Sequence, residues 1–460
     1  MDHFTDFSLG WFSHLEIKVE EKAQIMSSLK VLDKNVVVVG LGLTGLSCVR
    51  FLAAKGAKVS AMDSRKELSI AIDVPLYLGE FDPLVLCKAD LLVLSPGIDL
   101  AHPVIQIALN AGVRVIGDIE LFACFNHTPL IVITGSNGKS TVTSIVAEMF
   151  QAAGKKVFLG GNIGIPALDI LDQEADMIVL ELSSFQLETT FSLKPLVATL
   201  LNLSDDHLDR HGDSETYGKI KQKIYQGARY KVCNRDQAST YPRNDQADLM
   251  FGLSACEQGF SWSEQDKSIL FDGHCFIQSK DCLLVGAHNM LNIQAAAAVS
   301  LLAGLSLDAI KQGAMSFGGL AHRCQTVSMY NNVRWINDSK ATNVGATVAA
   351  IQGLRGTCQG KLILIAGGEG KGADFSSLRD ILNSSVDVLI TLGKDGDQIA
   401  QLKAGSLLVA SLEQAVQEAA KLASAQDTVL LSPACASVDM FVNYQQRGDC
   451  FSKAVGVLAA

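Results

Sequence analysis

The sequence has no apolar run that approaches the ~20 residues a transmembrane helix needs. Its longest apolar run, residues 295–305, is rich in alanine and interrupted by Ser300, which predicts a buried helix. The sequence also has no tract of lysine and arginine, and its formal net charge is -10. We therefore expect neither insertion into a membrane nor a nucleic-acid partner.

The eleven cysteines form no CxxC pair and follow no regular spacing. This usage predicts free or buried thiols in a reducing compartment and disfavours a disulfide framework or a zinc site. The first 30 residues lack the basic start and apolar centre of a signal peptide. We expect a cytoplasmic protein whose residues 1–30 form an extension, dispensable at least before Met26.

A length of 460 residues predicts about three domains. After residue 35, short β-branched runs alternate with helical stretches, which is typical of parallel sheets covered by helices. The series of strands restarts near residues 118 and 322, so we predict three α/β units. The predicted strands are 36–39, 59–62, 91–94 and 113–116, then 130–133, 177–180 and 197–201, then 333–336, 361–365, 386–392 and 428–431.

A glycine pattern opens the first unit. Gly40, Gly42 and Gly45 follow a predicted strand and begin a helix, and Asp63 ends the next strand eighteen residues after Gly45. This context matches the dinucleotide-binding fingerprint, in which glycines let the backbone approach a pyrophosphate. Any nucleotide diphosphate could use such a turn. An NAD-dependent oxidoreductase and a purely structural turn both remain open at this point.

A second phosphate motif, TGSNGKST, occupies residues 134–141 between a strand and a helix. Its backbone amides can surround phosphate oxygens, Lys139 supplies a positive charge, and the Ser140 hydroxyl can reach magnesium. Ile133 stands where the common motif has its first glycine, so the loop is a shorter form. The motif predicts a phosphate-binding loop (P-loop).

Acidic and imidazole groups follow the neighbouring strands. Glu181 ends the strand at 177–180, where a magnesium ligand of a P-loop protein belongs, although it could be an ordinary strand-end acid. Residues 202–211, which include His207, are dense in possible ligands and follow an apolar strand. We expect this polar cluster at the rim of the second sheet.

Two helices carry polar residues with two interpretations each. Around residues 217–225, periodicity buries Tyr217, Ile220 and Ile224, and it places the interleaved lysines on a solvated face. At the start of the alanine-rich helix, Asn289 and Asn292 could either cap the helix or contact an adenine edge.

The third unit contains two lysines, Lys340 and Lys371, that each follow an apolar strand. We expect both at one edge of the third sheet. Two cations there suit an anionic substrate with more than one carboxylate, although each could singly be a surface lysine.

Together, these strings resemble the Mur ligases, and the resemblance extends from about residue 35 to residue 453. It rests on TGSNGKST at 134–141, GNIG at 161–164, ELSSFQLE at 181–188, DHLDRH at 206–211, HN-x-x-N at 288–292, NDSKATN at 337–343 and SPACAS-x-D at 432–439. It implies a Rossmann-like N-terminal domain at 1–117, a central P-loop ATPase-like domain at 118–322 and a C-terminal Rossmann-like α/β domain at 323–460.

The resemblance implies an ATP-dependent ligase of peptidoglycan precursor synthesis, nearest to the member that adds D-glutamate to UDP-N-acetylmuramoyl-L-alanine through an acyl phosphate. It implies ATP, two magnesium ions and a carbamylated lysine, with Lys139, His207 and Lys221 as catalytic residues. The implied metal ligands are Ser140, Glu181, His207 and the carbamate of Lys221. We expect a monomer.

The resemblance also implies three binding regions. The ATP region would comprise Gly135, Asn137, Gly138, Lys139, Ser140, Thr141, Asn289, Asn292, His322, Arg323 and Asp338. The UDP-substrate region would comprise Leu43, Thr44, Ser64, Arg65, Ser95, Gly97 and Asn162. The D-glutamate region would comprise Lys340, Thr342, Lys371, Ser437 and Tyr444.

The sequence departs from the family pattern in two places. Tyr444 stands where a phenylalanine is common, which adds a hydroxyl to an aromatic wall. The segment between His207 and Lys221 is one residue short, which leaves Lys219 and Lys223 as weaker candidates for the carbamate. Another ligase of the same family, an NAD-dependent oxidoreductase and a non-catalytic UDP-sugar-binding protein remain the alternatives.

Overall fold

The computed structural model describes residues 29–243, 245–284, 286–356 and 358–458. Nearly all of the predicted N-terminal extension lies outside these residues, so its role stays a prediction. Within the described segments, no helix is long and apolar enough to cross a membrane.

The first unit is a five-stranded parallel sheet in the order β3-β2-β1-β4-β5. Gly40 leaves β1 with a φ of 88°, a left-handed conformation that glycine adopts without steric cost. The chain then turns directly into the first helix. The elements are β1 (Asn35–Val39), α1 (Leu43–Ala54), β2 (Lys58–Asp63), β3 (Leu76–Leu78), α2 (Pro83–Cys87), β4 (Leu91–Leu94), α3 (Pro103–Asn110) and β5 (Arg114–Gly117).

The second unit is a six-stranded parallel sheet in the order β11-β10-β9-β6-β8-β7. Every residue of β6, one of its two central strands, is buried, as expected for a parallel sheet covered on both faces. The elements are α4 (Asp118–Phe125), β6 (Leu130–Thr134), α5 (Lys139–Ala152), β7 (Val157–Gly161), β8 (Met177–Glu181), α6 (Ser184–Glu188), β9 (Val197–Leu200), α7 (Leu208–His211), α8 (Ser214–Gln222), β10 (Tyr230–Asn234) and β11 (Leu249–Phe251).

A small antiparallel sheet and two helices complete the second unit. They are β12 (Phe260–Ser263), β13 (Ser268–Phe271), β14 (His274–Gln278), α9 (Ala287–Leu302) and α10 (Leu307–Ser316). The alanines of α9 lie in the core of this unit together with residues of α5 and the small sheet. The prediction of a buried alanine-rich helix is therefore confirmed.

The third unit is a six-stranded sheet in the order β15-β16-β20-β17-β18-β19, parallel except for the antiparallel edge strand β15. The elements are β15 (Gln325–Tyr330), β16 (Val333–Asn337), α11 (Val344–Arg355), β17 (Leu362–Gly367), α12 (Arg379–Ser385), β18 (Val388–Leu392), α13 (Gly396–Ala400), β19 (Leu407–Leu408), α14 (Leu412–Leu422), β20 (Thr428–Leu431) and α15 (Tyr444–Leu458).

All the predicted strands are present, with ends that differ by at most two residues. The small sheet β12–β14 and strands such as β15 and β19 were not predicted. They are short or polar, so they lack the run of β-branched residues on which the prediction relied. The three-unit α/β fold is confirmed, whereas the domain boundaries at 118 and 322 stay predictions.

Two buried acids of α4, the helix that directly follows the first sheet, hold it against the segment after β8 of the second unit. Glu120 accepts hydrogen bonds from the backbone amides of Phe191 and Ser192 at 2.6 and 2.9 Å. Asp118 accepts one from Gln186 at 3.1 Å, and burial raises the pKa of this carboxyl to about 6. Because α4 begins directly after β5, these contacts place the carboxyl end of the first sheet beside the segment that follows β8 of the second, on the side where ligands of open α/β sheets bind.

Candidate active site

The P-loop joins β6 to the N-terminus of α5. Gly138 has a φ of 82° and directly precedes the first residue of the helix. Asn202, which follows β9, holds the loop by accepting from the Asn137 amide at 2.8 Å and donating to the Asn137 carbonyl at 3.0 Å. Lys139 lies in the first turn of α5 and donates to the Gly135 carbonyl at 2.8 Å. Exposed amides at a helix N-terminus with an adjacent cation form a ready phosphate site.

Three donors converge beside this loop. Ser140 donates to Glu181 Oε2 at 2.5 Å, and Asn162 donates to Glu181 Oε1 at 2.8 Å. Arg323 reaches across from the third unit and donates to Ser140 Oγ at 2.6 Å. Hydroxyl and carboxylate oxygens are the ligand types that magnesium prefers, so Ser140 and Glu181 fit this ion.

Lys221 is buried although periodicity placed it on a solvated face. Only 1% of the residue is exposed, and its amine donates to the Gly135 carbonyl at 3.0 Å and to Thr134 Oγ1 at 3.2 Å. Burial, followed by repulsion from Lys139, holds the pKa of Lys221 well below its usual value. The periodicity-based prediction was wrong because the P-loop covers this face of α8.

The two neighbouring lysines point elsewhere. Lys219 pairs with Glu215 one turn earlier on α8, at 2.6 Å. Lys223 donates to the backbone carbonyls of Leu187 and Glu188 at 2.8 and 2.9 Å. The Lys221 amine, by contrast, contacts the P-loop.

His207 lies at the start of α7 with a φ of 54°. Its ring packs edge-on against Phe185 at 4.8 Å, and its Nε2 lies 3.8 Å from Asp206 Oδ1. Burial lowers its pKa despite the opposing effect of Asp206, which favours the neutral imidazole that binds metals. Within the described residues, no three His, Cys, Asp or Glu groups are arranged to hold a metal ion. The predicted ligand set contains two such groups, and a hydroxyl and a carbamate would supply the others.

In the first unit, Asp63 organises the glycine turn. It accepts from the Leu41 amide at 2.7 Å and receives both Nε and Nη2 of Arg65 at 2.8 Å. These bonds hold the pKa of Asp63 well below its usual range. Ser95 closes the turn from β4 by donating to the Gly40 carbonyl at 2.6 Å. Because Asp63 is engaged by Arg65, it is not the free acid that an NAD ribose would require.

The other residues predicted to contact the UDP substrate surround this turn. Leu43 and Thr44 begin α1, and Leu43 is 78% exposed. Ser64 directly follows β2, and Gly97 lies in the turn after β4. This edge of the first sheet therefore presents an open surface next to a fixed glycine turn.

A central arginine connects the first unit to the catalytic loops. Arg210 donates to the Ile98 carbonyl at 3.2 Å and to Glu188 at 2.6 Å, and its Nε lies 3.4 Å from Asp99. The sequence signal was the DHLDRH string, which drew attention to His207 and not to the arginine.

Asn289 and Asn292 lie beside the P-loop. Asn292 Nδ2 donates to Asn289 Oδ1 at 3.3 Å, and a Cβ added to Gly138 would meet Asn292 Oδ1 at 2.5 Å. Both residues lie inside α9, whose N-cap is Gly286. Neither residue is therefore the N-cap of this helix, and contact of their amides with an adenine edge stays a prediction.

The turn before β15 and the end of β16 bring Asp338 and His322 to the same cleft. Asp338 accepts from Ser432 at 2.8 Å and from the Cys324 amide at 3.1 Å, and burial raises its pKa to about 7. His322 Nδ1 lies 3.1 Å from Asn337 Nδ2. These contacts fix the turn that carries Arg323 to the P-loop.

Lys340 and Lys371 lie at one edge of the third sheet, as predicted, because β16 and β17 are parallel and each lysine follows one of them. The Lys340 amine lies 4.0 Å from the centre of the Tyr444 ring. Burial, then repulsion from Arg323 and Lys139, lowers the pKa of Lys340 to about 8. The edge is strongly positive and has an aromatic wall.

Thr342 and Ser437 belong to the loops around this edge. The Thr342 amide donates to the Lys340 carbonyl at 2.8 Å, and Ser437 is buried in the segment after β20. Arg447, which sequence reasoning missed, ties the two loops together by donating to the carbonyls of Ser339 and Cys435 at 2.8 and 3.1 Å. It lies on α15 without a motif of its own, so no sequence signal singled it out.

The geometry defines a P-loop α/β protein of three units, in which an arginine of the third unit contacts the phosphate-binding loop. Three family models match in order: the N-terminal domain of Mur ligases of the MurD type at residues 34–117, the Mur ligase middle domain at 133–300, and the Mur ligase glutamate ligase domain at 322–435. The chain belongs to the Mur ligase family.

Curated relatives agree with this assignment. The chain is 47% identical to the UDP-N-acetylmuramoylalanine--D-glutamate ligase of Pasteurella multocida, over 92% of this chain and 98% of the relative. The ligases of the same name from Haemophilus ducreyi and Shewanella oneidensis are 46% and 47% identical, each over 91% of this chain and 97% of the relative.

Solved structures share the fold at low sequence identity. The UDP-N-acetylmuramate-alanine ligase of Thermotoga maritima has a TM-score of 0.60 at 17% identity, covering 92% of this chain and 100% of that one. The MurF ligase of the same organism, in complex with ADP, has a TM-score of 0.58 at 18% identity, covering 94% of this chain and 97% of that one.

Proposed function

We propose that this protein is an ATP-dependent ligase that adds D-glutamate to UDP-N-acetylmuramoyl-L-alanine through an acyl phosphate, in cytoplasmic peptidoglycan precursor synthesis. The observation that carries the proposal is the 2.6 Å contact between Arg323 and Ser140, which closes the positive edge of the third unit onto the P-loop. The names of the relatives support the choice of substrates. The products are the amide, ADP and phosphate.

The reaction needs an activated carboxylate, because a carboxylate repels an amine nucleophile and has no leaving group. Transfer of the γ-phosphoryl group supplies the leaving group. Lys139, at the end of the P-loop, and Arg323, from the third unit, would offset the charge that accumulates during transfer. Asn289 and Asn292, beside Gly138, would contact adenine, and Asp338 would contact the ribose. The remaining loop residues would hold the phosphates.

Magnesium, when bound, neutralises charge on the phosphate oxygens and polarises the phosphoryl group. Ser140, Glu181 and His207 would hold it, because they offer a hydroxyl, a carboxylate and a neutral imidazole at one rim. Asn162 orients Glu181 from the other side at 2.8 Å. Such outer contacts fix the direction of a metal-binding carboxylate.

Lys221 would act as a carbamate. The lowered pKa favours the neutral amine, and a neutral amine attacks carbon dioxide, forming an N–C bond and releasing one proton. The product supplies oxygen ligands that an amine cannot. The carbamate would also place a negative charge near Lys139. The unmodified Lys221 amine, in contrast, is repelled by Lys139 when it is protonated.

The third unit suits a dicarboxylic amino acid. Lys340 and Lys371 provide two cations at one edge, and Tyr444 provides an aromatic wall 4.0 Å from the Lys340 amine. Thr342 and Ser437 would contribute further polar contacts. The amine of the bound amino acid would attack the acyl phosphate, the tetrahedral intermediate would collapse, and phosphate would leave.

The first unit would hold the UDP of the second substrate. Leu43, Thr44, Ser64 and Arg65, which lie near the glycine turn in sequence, would contact the UDP, and Ser95, Gly97 and Asn162 would contribute further contacts to this substrate. The engagement of Asp63 by Arg65 argues against an NAD-dependent oxidoreductase. The intact P-loop argues against a non-catalytic UDP-sugar-binding protein.

The proposal is tested by measuring ATP-dependent phosphate release in three reactions that all contain UDP-N-acetylmuramoyl-L-alanine. The first has no amino acid, the second has L-glutamate and the third has D-glutamate. We expect phosphate release only in the third. A panel that includes alanine and diaminopimelate would identify another ligase of the family if one of them replaced D-glutamate. Absence of release from folded protein that binds ATP would contradict the assigned substrates.

A further inference from the structure

An amide side chain of the third unit contacts the P-loop at a position with no role so far. Asn343 is the N-cap of α11, and its Oδ1 accepts from the Ala346 amide at 2.9 Å. Its Nδ2 donates to Asn137 Oδ1 at 3.2 Å and to Asp206 Oδ2 at 3.3 Å. One side chain thus begins a helix of the third unit and binds two loops of the second.

The backbone around Asn343 is built for this close approach. A Cβ added to Gly345, in the first turn of α11, would meet Ser204 Oγ at 3.4 Å and Asn137 Nδ2 at 3.5 Å. Ser204 Oγ is buried without a hydrogen-bond partner within the described segments. The N-terminus of α11 therefore lies directly on the P-loop and on the segment that follows β9.

Each of the three residues that these hydrogen bonds join, Asn343, Asn137 and Asp206, belongs to a different part of the site. Asn343 directly follows Thr342 and lies three residues after Lys340, both assigned to the amino acid. Asn137 is a residue of the nucleotide loop, and Asp206 directly precedes His207, assigned to the metal. One hydrogen bond therefore connects the amino-acid loop to the P-loop, and a second connects it to the segment that carries His207.

We propose that Asn343 is a positioning residue that couples nucleotide binding at the P-loop to amino-acid binding at the third unit. The inference rests on the proposed function for the identity of the amino acid. The contact geometry itself depends only on Asn343, Asn137 and Asp206. By orienting Lys340 and Thr342 through the loop they share, the amide makes the amino-acid site complete when the P-loop is in place.

The variant Asn343→Asp separates this role from helix capping. Aspartate keeps the oxygen that accepts from the Ala346 amide, and it caps helices as well as asparagine does. It removes the donor to Asn137 and places a second carboxylate next to Asp206. Asn383→Asp is the matched control, because the Asn383 amide also donates to two oxygens, the backbone carbonyls of Arg379 and Leu402, but lies in α12, within the third unit.

The first test measures amide hydrogen exchange of residues 343–350 with and without a non-hydrolysable ATP analogue. We expect the analogue to slow exchange of this segment in the wild-type protein and in Asn383→Asp, but not in Asn343→Asp. Helix α11 should stay folded in Asn343→Asp, since the cap remains, and exchange of its central residues without the analogue should match the wild type. Equal protection in wild type and Asn343→Asp would overturn the proposal, and this test does not depend on the identity of the amino acid.

The second test uses steady-state kinetics. Asn343→Asp should raise the KM for D-glutamate about ten-fold, the loss expected from a broken hydrogen bond and a new like-charge contact. ATP affinity measured without D-glutamate should change less than two-fold, whereas ATP affinity at saturating D-glutamate should fall by a factor similar to that for D-glutamate, because coupling between two sites is reciprocal. In the double variant Asn343→Asp with Asp206→Asn, an amide at 206 can donate to the carboxylate at 343. We expect the KM for D-glutamate of the double variant to be lower than the product of the fold-increases in the two single variants predicts.

Multiplicative effects in the double variant would refute the contact between positions 343 and 206. If D-glutamate supports no phosphate release but the exchange protection depends on Asn343, then the proposed substrate fails and the coupling role stands. If the wild type uses D-glutamate and Asn343→Asp alters neither protection nor KM, then the coupling role fails and the proposed function stands.

Discussion

Replacing Lys221 tests the proposed chemistry and the stability of the fold separately. We consider Lys221→Ala, which removes the amine and leaves space, and Lys221→Met, which removes the amine and fills the space. Lys219→Ala is the control, because Lys219 is on the same helix but pairs with Glu215 away from the P-loop. A carbamate role requires the nitrogen at 221, whereas a packing role requires only the volume.

The structure sets the expected magnitudes. The Lys221 amine makes two hydrogen bonds, each worth about 1 kcal/mol, and burial of an ionisable group without a bonded carboxylate opposes them. The two effects nearly cancel, so Lys221→Met should change the free energy of unfolding by less than about 1 kcal/mol. Loss of an electrostatic group at the reacting phosphate should lower kcat at least ~100-fold in both variants.

The assay is phosphate release with saturating substrates, repeated with added acetate or propionate. A short carboxylic acid can occupy the space left in Lys221→Ala and restore oxygen ligands there, so we expect partial recovery of kcat. In Lys221→Met the space is filled, and no recovery should occur. Unchanged turnover in Lys221→Ala, or equal recovery in both variants, would refute the carbamate assignment.

Three further predictions follow from the same geometry. Lys371→Ala should raise the KM for D-glutamate ~10- to 100-fold, as loss of a charge-assisted contact does, and leave the KM for ATP unchanged; equal losses would move Lys371 out of the amino-acid site. Arg323→Lys should lower kcat about ten-fold, because lysine cannot place the same planar donor on Ser140, and unchanged kcat would contradict the role of this contact. Asp118→Asn should stabilise the protein at pH 8 by about 3 kcal/mol and by roughly half as much at pH 5, as measured by urea unfolding. The sign follows because the folded state binds the Asp118 proton up to about pH 6, so wild-type stability falls as pH rises from the unfolded pKa through the folded one. An equal difference at both pH values would contradict this.

Sequence patterns predicted the parts of the molecule that depend on neighbouring residues. The buried strands were recognisable because runs such as residues 130–133 are apolar throughout, and the P-loop because its glycines, Lys139 and Ser140 are contiguous. The common edge of Lys340 and Lys371 followed from the rule that parallel strands end at the same side of a sheet.

The parts that the sequence did not predict depend on contacts between distant segments. Lys221 looks like a solvated residue within α8, but it is buried and its amine contacts the P-loop. Arg447 and Asn343 join loops more than 100 residues away, at Ser339 and at Asn137. No local period carries such information, so only the assembled fold could reveal these residues.

The most direct test of the central claim labels both oxygens of the UDP-N-acetylmuramoyl-L-alanine carboxylate with oxygen-18 and follows the label by mass spectrometry. If the carboxylate is activated as an acyl phosphate and then attacked by the amine of D-glutamate, one labelled oxygen leaves with each phosphate and one stays in the amide. Unlabelled phosphate, or phosphate released without an amide product, would contradict the account.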